Sequence, residues 1–170
     1  MYKHLLKPIL CRFNPETAHN MTFKGLSLLR HIPFARSIIR SIYKKEYPTL
    51  EREVFGIRFS NPVGLAGGLD KNGEYYNDMA NFGFGFVEIG SLTPLPQDGN
   101  AKPRCFRVPE DKALINRFGI NNKGVKNAVE HLKKERPEVI VAANISKNTT
   151  SINEDAAKDY EKGFGLLYDF

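Results

Sequence analysis

The first 47 residues carry apolar side chains at the three- and four-residue spacing of amphipathic helices. This pattern predicts three short helices, and Pro33 divides the second from the third. Asn14, Pro15 and Glu16 form a typical helix start, because Asn can cap, Pro suits the first helical position and an early carboxylate complements the helix dipole. The apolar positions are Leu5, Leu6, Ile9, Leu10, Ala18, Met21, Leu26, Leu29, Ile38, Ile39 and Ile42.

From residue 54 onward, short apolar runs alternate with helical patterns. The predicted elements are a hairpin at 54–59, strands at 63–66, 84–91 and 139–145, and helices at 71–82, 124–136 and 155–168. An excursion rich in Pro, Gly and Asn occupies residues 93–122, and residues 104–108 within it alternate like an exposed strand. The strand–helix alternation predicts an α/β fold in which helices cover a parallel sheet.

Charge divides the chain into two parts. The net charge is +6 over 170 residues, yet residues 1–47 hold nine Lys or Arg against Glu16 and Glu46, a net of +7. The other 123 residues hold 16 positive and 17 negative charges, a net of −1. We therefore predict a helical segment at 1–47 and a βα domain at 48–170.

The basic first segment allows more than one interpretation. It can be a helical hairpin packed on its own domain with a solvated basic face, or a group of helices lying on an anionic bilayer surface. Nucleic-acid binding is disfavoured, since no recognised binding motif accompanies the charge. No apolar run approaches the roughly 20 residues of a spanning helix. The start lacks a cleavable signal pattern, so we expect a retained segment of a cytoplasmic protein.

The two cysteines indicate neither a disulfide framework nor a metal site. Cys11 and Cys105 lie far apart and belong to no Cys-x-x-Cys or Cys/His grouping. We expect both to be free thiols. The sequence also contains no phosphate-binding P-loop and no Ser/His/Asp arrangement.

Polar and glycine residues follow the predicted strands, where ligands gather in parallel α/β folds. Gly67, Gly68 and Lys71 follow the first strand, Ser91 follows the second, and Asn144 ends the third. Backbone amides, a cation, a hydroxyl and an amide suit an anionic, hydrogen-bonding ring cofactor. Ordinary α/β loops have the same composition, and Glu88 stands about where a nicotinamide-binding Rossmann domain has its ribose-binding acid, so these alternatives stay open.

Lys71 and the stretch at 116–119 are the strongest candidates for chemistry. We expect Lys71 in the first turn of a helix, where the helix dipole disfavours a merely solvated cation, and where it could face negative charge on a reduced flavin. Asn116, Arg117 and Phe118 offer the amide, guanidinium and aromatic groups that a planar carboxylate-bearing heterocycle requires. The alternative for this stretch is a capping turn with an exposed arginine.

Several motifs resemble those of the quinone-dependent, membrane-associated dihydroorotate dehydrogenases. Residues 61–74 read NPVGLAGGLDKNGE, residues 83–94 read GFGFVEIGSLTP, residues 103–107 read PRCFR and residues 115–119 read INRFG. The resemblance extends to NPETAH at residues 14–19, within the helical extension that distinguishes this class. It covers essentially the whole chain and identifies it as the N-terminal portion of such an enzyme.

The resemblance implies an eight-stranded βα (TIM) barrel that carries FMN, of which this chain holds the first three βα units. Such enzymes oxidise dihydroorotate to orotate in pyrimidine synthesis and pass the electrons to a membrane quinone at the cytoplasmic side of the membrane. The implied cofactor contacts are Gly67, Gly68, Leu69, Asp70, Lys71, Ser91 and Asn144. The implied substrate contacts are Lys71, Asn116, Arg117, Phe118, Gly119 and Ile120, and the implied quinone-tunnel residues are His19 and Arg107.

The chain also departs from the family pattern. Gly67 replaces a frequent Ala, Ile120 replaces a common Phe next to the substrate, and Ser146 replaces a usual Gly near the flavin. The serine base of the family is expected beyond Phe170, so the isolated chain should be inactive and should need the remaining barrel strands. The alternatives are a non-catalytic fragment that binds a lipid surface and the nicotinamide-binding domain.

Overall fold

The N-terminal segment folds into the three predicted helices. In a computed structural model that describes the backbone of residues 2–169 and the side chains from residue 4 to residue 169, a turn of π-helix leads into α1. The helices are α1 (Lys7–Cys11), α2 (Pro15–Leu29) and α3 (Ala35–Tyr43). Asn14 caps α2 as predicted, since its side-chain oxygen accepts the Glu16 N–H at 3.0 Å. No helix in the described part of the chain is long and apolar enough to cross a membrane.

The second part of the chain contains a parallel sheet and two antiparallel hairpins. The strands are β1 (Arg52–Val54), β2 (Ile57–Phe59), β3 (Gly64–Asp70), β4 (Phe86–Leu92), β5 (Cys105–Val108), β6 (Ala113–Asn116) and β7 (Ile140–Ile145). The helices are α4 (Tyr76–Ala80), α5 (Val125–Lys134) and α6 (Ala156–Leu167). The sheet has the order β3-β4-β7, while β1 pairs with β2 and β5 pairs with β6. The predicted parallel α/β arrangement is therefore confirmed.

The core lies between the sheet and its helices. Val87 and Ile89 of β4 are fully buried, and each such side chain contributes about 1.5–3 kcal/mol by leaving water. Phe23 of α2 belongs to this core, and its ring centroid lies 5.0 Å from that of Tyr75. The helical segment is thus packed on the βα part. The other buried members of the cluster are Tyr76, Met79, Leu92, Val125, Ala128 and Leu132.

The opposite face of the sheet carries a different set of side chains. Phe86 and Glu88 alternate with the buried residues of β4 and are partly exposed, and Ala142 of β7 is exposed. Phe59 of the first hairpin meets Phe86 edge to face, with 5.7 Å between ring centroids. Parallel sheets are normally covered on both faces, and this face is only partly covered by the described residues.

Two sequence predictions around residue 70 are wrong. The strand predicted at 63–66 continues to Asp70, and the helix predicted at 71–82 begins only at Tyr76 and ends at Ala80. The reason is Asp70, whose carboxylate oxygens accept the N–H groups of Glu74 (2.9 Å) and Tyr75 (2.8 Å) and hold residues 71–75 in a turn. Lys71 is therefore not in a first helical turn. The helix-dipole argument for its role does not apply.

The pairing of β3 with β4 is interrupted by a bulge at the glycines of β3. Leu65 pairs with Val87 and Asp70 pairs with Ile89, so five steps along β3 oppose two steps along β4. The extra residues include Gly67 and Gly68, which were predicted to form a loop. Bulges of this kind occur next to active sites, because they bring backbone out of the ladder and redirect it.

Three arginines attach the helical segment to the βα part. The pairs are Arg30 with Asp78 (2.6 Å) and Glu135 (3.3 Å), Arg36 with Glu138 (3.1 Å), and Arg40 with Glu138 and with Asn81 (2.7 Å). Each arginine is partly buried. Acidic partners some 50–100 positions further along the chain bind these three residues, so part of the positive charge of the segment is neutralised within the chain. Contact of the segment with a membrane stays a prediction.

Helix α3 faces its apolar side outward. Arg36 and Arg40 point to Glu138, whereas Phe34, Ile38 and Ile42 follow one another at four-residue spacing and are 79%, 57% and 57% exposed. An amphipathic helix on a water-soluble core normally has the reverse orientation.

Candidate active site

A cleft of about 500 Å³ lies between α2, the carboxyl end of β3 and the second hairpin. It brings together eight of the residues predicted from the sequence, namely His19, Gly67, Gly68, Leu69, Asp70, Lys71, Asn116 and Phe118. Glu16, Asn72, Glu74, Tyr75, Cys105 and Leu114 also line it. A cleft of this size is within the range of cofactor and substrate sites.

Lys71 is half-buried in this cleft. Its ammonium lies 4.7 Å from the ring centroid of Phe118 and donates a hydrogen bond to the Gly68 carbonyl. Burial is the main influence on the pKa of Lys71 and lowers it; Glu16 opposes this shift and Arg104 adds to it. The Lys71 side chain is therefore a cation held in a defined position, and it loses its proton more readily than an exposed lysine does.

Asp70 shapes the cleft and does not offer its carboxylate to a ligand. Its side chain is inside the protein, with 1% of the residue exposed, and both oxygens accept backbone N–H groups of the following turn. Burial raises its pKa, although these hydrogen bonds act in the opposite direction. Only the backbone of Asp70 remains for the predicted cofactor contact.

The two glycines leave side-chain-free backbone at the cleft. Gly68 has a φ of +92°, and a Cβ there would meet no atom within 4 Å, so its backbone faces open space. A Cβ on Gly67 would lie 2.7 Å from Oε1 of Glu88. The frequent Ala of the family could occupy this position only if the Glu88 carboxylate moved.

Ser91 and Asn144 lie on the neighbouring strands and do not line the cleft. Asn144 donates from Nδ2 to Oε1 of Glu88 at 2.7 Å, which supplies the partner that a polar residue on this strand needs. The Glu88 carboxylate thereby lies between Gly67 and Asn144 on the partly covered face of the sheet. The predicted cofactor set is divided into a cleft group at 67–71 and a sheet group on β4 and β7.

The stretch after β6 is only partly inside the cleft. Asn116 and Phe118 line it, whereas Arg117 is exposed and donates to the Pro103 carbonyl at 3.2 Å. Gly119 and Ile120 lie outside it, and both have positive φ, +72° and +53°. A β-branched residue at positive φ is strained, and such strain needs support from its surroundings.

That support comes from residues that the sequence analysis missed. Gln97 donates from Nε2 to the carbonyls of Gly119 (3.2 Å) and Ile120 (3.0 Å), and Asn122 donates to the Ile120 carbonyl at 2.9 Å. Asn148 connects the group to the sheet by donating to Oε1 of Gln97 at 3.1 Å. These amides stand far apart in the chain and form no local motif, so no sequence signal marks them.

The two predicted quinone-tunnel residues have different positions. His19 lines the cleft, and its ring centroid lies 4.6 Å from that of Phe23. Burial lowers its pKa, and the charge of Lys71 lowers it further. Arg107 lies outside the cleft and donates to backbone carbonyls at the end of α1. Its acceptors are Phe13 (2.7 Å), Leu10 (3.3 Å) and Cys11 (3.4 Å).

Glu16 and Arg104 form an ion pair that the sequence analysis also missed. Glu16 was interpreted as a helix-dipole residue and Arg104 as part of an exposed strand, and neither was given a partner. Arg104 is buried and holds Glu16 with two parallel hydrogen bonds of 3.1 and 2.7 Å.

Cys11 and Cys105 are free thiols, and the described residues contain no group of three or more His, Cys, Asp or Glu that could hold a metal ion.

Comparison with known proteins identifies the family. A family model described as Dihydroorotate dehydrogenase matches residues 49–167. The dihydroorotate dehydrogenase (quinone) of Christiangramia forsetii is 47% identical over 170 residues, which are 100% of this chain and 50% of that protein. The corresponding protein of Cellvibrio japonicus is 47% identical over 169 residues, which are 99% of this chain and 48% of that protein.

Solved structures agree with the sequence comparison. The crystal structure of DHODH in complex with ferulenol from Eimeria tenella matches with a TM-score of 0.75 and 36% identity, over 90% of this chain and 40% of that one. The ligand-free structure from the same organism matches with a TM-score of 0.71 and 34% identity. The chain spans about half the length of the curated relatives it matches. By sequence and by structure, the chain belongs to the dihydroorotate dehydrogenase family.

Proposed function

We propose that this chain contributes the front part of an FMN-dependent enzyme that oxidises dihydroorotate to orotate and passes the electrons to a quinone, in pyrimidine synthesis. The observation that carries the proposal is the cleft in which the Lys71 ammonium lies against Phe118 beside the bare backbone of Gly67 and Gly68. The relatives at 47% identity bear the name dihydroorotate dehydrogenase (quinone). Family membership displaces the nicotinamide-binding alternative.

The residues of the cleft fit a flavin. The backbone at Gly68 faces open space where a side chain would otherwise stand, which suits close approach of a flat ring. FMN would be held by Gly67, Gly68, Leu69, Asp70, Lys71, Ser91 and Asn144, with Asp70 contributing backbone only. When bound, it supplies the acceptor for two electrons from the substrate. Lys71 then places a fixed positive charge where negative charge develops.

The substrate is proposed to bind at the Lys71 end of the cleft. Asn116 offers an exposed amide and Phe118 an aromatic surface, while Arg117, Gly119 and Ile120 shape the loop from outside the cleft. None of the cleft's carboxylates is poised as a base, since Glu16 is paired with Arg104, Glu74 is paired with Lys123, and Asp70 accepts two N–H groups. We propose that the base lies outside the described residues and that the chain alone is inactive.

The partly covered face of the sheet supports the barrel proposal. Phe86, Glu88 and Asn144 lie on that face, and they would point into the interior of a (βα)8 barrel whose first three βα units are present here. Further strands would cover them. In this proposal residues 48–170 belong to the barrel and residues 1–47 form the segment on the quinone side.

The outward apolar side of α3 supports a peripheral location on a membrane, which we propose is at its cytoplasmic side. Phe34, Ile38 and Ile42 are exposed in a row, and an amphipathic helix buries such a row at a lipid surface. His19 of α2 reaches the cleft from the same segment, so the segment connects the proposed lipid surface with the proposed flavin site. A quinone would approach by this route.

The proposal is tested in the protein that contains this chain together with the remaining strands. We expect visible flavin absorbance that dihydroorotate bleaches and a quinone restores. Lys71→Ala should retain the flavin but slow its reduction by about 100-fold or more, the usual cost of one electrostatic donor. Lys158→Ala, which alters an exposed ion pair with Asp155 on α6, is the matched control. Absence of flavin, or an unchanged reduction rate in Lys71→Ala, would refute the proposal.

A further inference from the structure

Arg104 is the centre of the contacts around the cleft. Its guanidinium is bound on three sides, and only 6% of the residue is exposed. Besides the two bonds to Glu16, Nη1 donates to the carbonyls of Asp98 (2.6 Å) and Asn100 (3.0 Å). Its own carbonyl accepts the Arg117 N–H at 2.9 Å. The side chain of Arg104 therefore joins α2 to the loop at 98–100, and its backbone joins both to the stretch after β6.

The ring of Phe118 is shared by two cations. The Lys71 ammonium lies 4.7 Å from its centroid and the Arg104 guanidinium carbon 5.5 Å from it. Each cation is attracted to the electron-rich ring, while the two cations repel each other. The carboxylate of Glu16 is ion-paired with Arg104 and so offsets the charge of one of the two cations. Glu16 comes from α2 and is 15% exposed at its side chain.

We propose that Arg104 is a positioning residue that holds Phe118 against the Lys71 ammonium, and that Glu16 of the N-terminal segment makes this arrangement possible by neutralising Arg104. The helical segment then contributes to the protonation state and the position of the Lys71 ammonium, in addition to any role in binding quinone or lipid. This inference concerns residues of this chain only and holds whether or not the ligand is a flavin.

The sign of the effect follows from the charges that face Lys71. The charged groups are Glu16 from α2, Asp70 from β3 and Arg104 from the loop before β5. The thiol of Cys105 from β5 also faces Lys71, and His19 of α2 responds to Lys71. Removing the Glu16 charge deletes an attraction and leaves the repulsion of Arg104, so the pKa of Lys71 should fall further. Removing the Arg104 charge deletes the repulsion, so the pKa should rise.

The experiment measures the reactivity of Lys71 in the full 170-residue chain, without flavin. Trace acetic anhydride is applied over a range of pH, and mass spectrometry compares acetylation of Lys71 with that of the exposed Lys158. In Glu16→Gln we expect about three- to tenfold more reactive amine below the pKa, since one pKa unit is tenfold. In Arg104→Gln reactivity should fall, and the double variant should lie near the original chain.

A matched control separates this effect from a general loosening of the segment. Glu138→Gln removes another carboxylate that binds the segment, through Arg36 and Arg40, away from the cleft. It should leave Lys71 unchanged. Unfolding would return the pKa of Lys71 to its ordinary, higher value, which the pH dependence of acetylation reports independently of access to the amine, whereas Glu16→Gln is expected to lower this pKa. Lower reactivity in Glu16→Gln, or a change no larger than in Glu138→Gln, would overturn the inference.

Discussion

Phe23→Ala should destabilise the chain more than any change on the outer side of α2. Phe23 is 6% exposed and belongs to the core of the βα part. Truncating a buried Phe costs about 3–5 kcal/mol, and each lost aromatic pair accounts for about 0.5–1.5 kcal/mol beyond area burial. Among the described residues, Phe23 forms two such pairs, with His19 at 4.6 Å and with Tyr75 at 5.0 Å between ring centroids. We expect a loss of about 3 kcal/mol or more.

Urea unfolding followed by circular dichroism measures this loss. With a slope of about 1–3 kcal/mol per molar urea, the midpoint should fall by about 1 M or more. Met21→Ala is the control, because Met21 lies on the same helix and is 45% exposed. It should change stability by about 0.5 kcal/mol or less.

Limited proteolysis shows whether α2 detaches before the rest unfolds. If it does, cleavage between α2 and α3 should accelerate in Phe23→Ala before the urea transition begins. Equal midpoints for Phe23→Ala and Met21→Ala would refute the reasoning. In that case the arginine ion pairs, and not the core contact, would hold the segment.

Two further predictions concern single carboxylates. The hydrogen bonds from Arg104 hold the pKa of Glu16 below its ordinary value of 4.5, so its stabilising contribution is complete above pH 4.5 and is lost as the pH falls through the lowered pKa. Urea midpoints measured from pH 6 down to pH 3 should therefore decline more steeply for the original chain than for Glu16→Gln; parallel curves would contradict this. Asp70→Ala removes the acceptor of two N–H groups and should cost about 1–3 kcal/mol, whereas Asp155→Ala, at an exposed ion pair, should cost about 1 kcal/mol or less.

The sequence was sufficient to predict those elements that depend on contacts between residues close together in the chain. Asn14 and Pro15 predict the start of α2 because a cap and a fixed φ act within one turn. The strands β4 and β7 were found because parallel strands are typically written as continuous apolar runs, and both segments have this pattern. The same reasoning failed at residues 67–75, since the glycines of β3 resemble a loop and Asp70 captures two N–H groups that a helix would otherwise use.

Contacts between distant positions explain the remaining errors. The charge count located the surplus of positive charge but not its partners, because Arg30 meets Asp78 only after the chain has folded. The sequence also did not show that Arg107 binds carbonyls more than 90 positions earlier, and its assignment to a quinone tunnel stays a prediction. The strand β6 was missed because its own residues show no strand pattern. It is a strand because it pairs with β5, in a register that runs from Cys105–Asn116 to Val108–Ala113.

The inverted orientation of α3 has a practical consequence for truncated variants. Removing the first 47 residues would delete the exposed row of Phe34, Ile38 and Ile42, and it would also strip Asp78, Glu135 and Glu138 of the arginines that neutralise them. The same cut would uncover the aromatic surface that Phe23 now covers. Such a variant would combine an acidic patch with a bare apolar one, so its behaviour toward vesicles would report on both changes at once. The double variant Ile38→Ser, Ile42→Ser would change only the outward apolar side of α3. It would leave the ion pairs of Arg30, Arg36 and Arg40 intact.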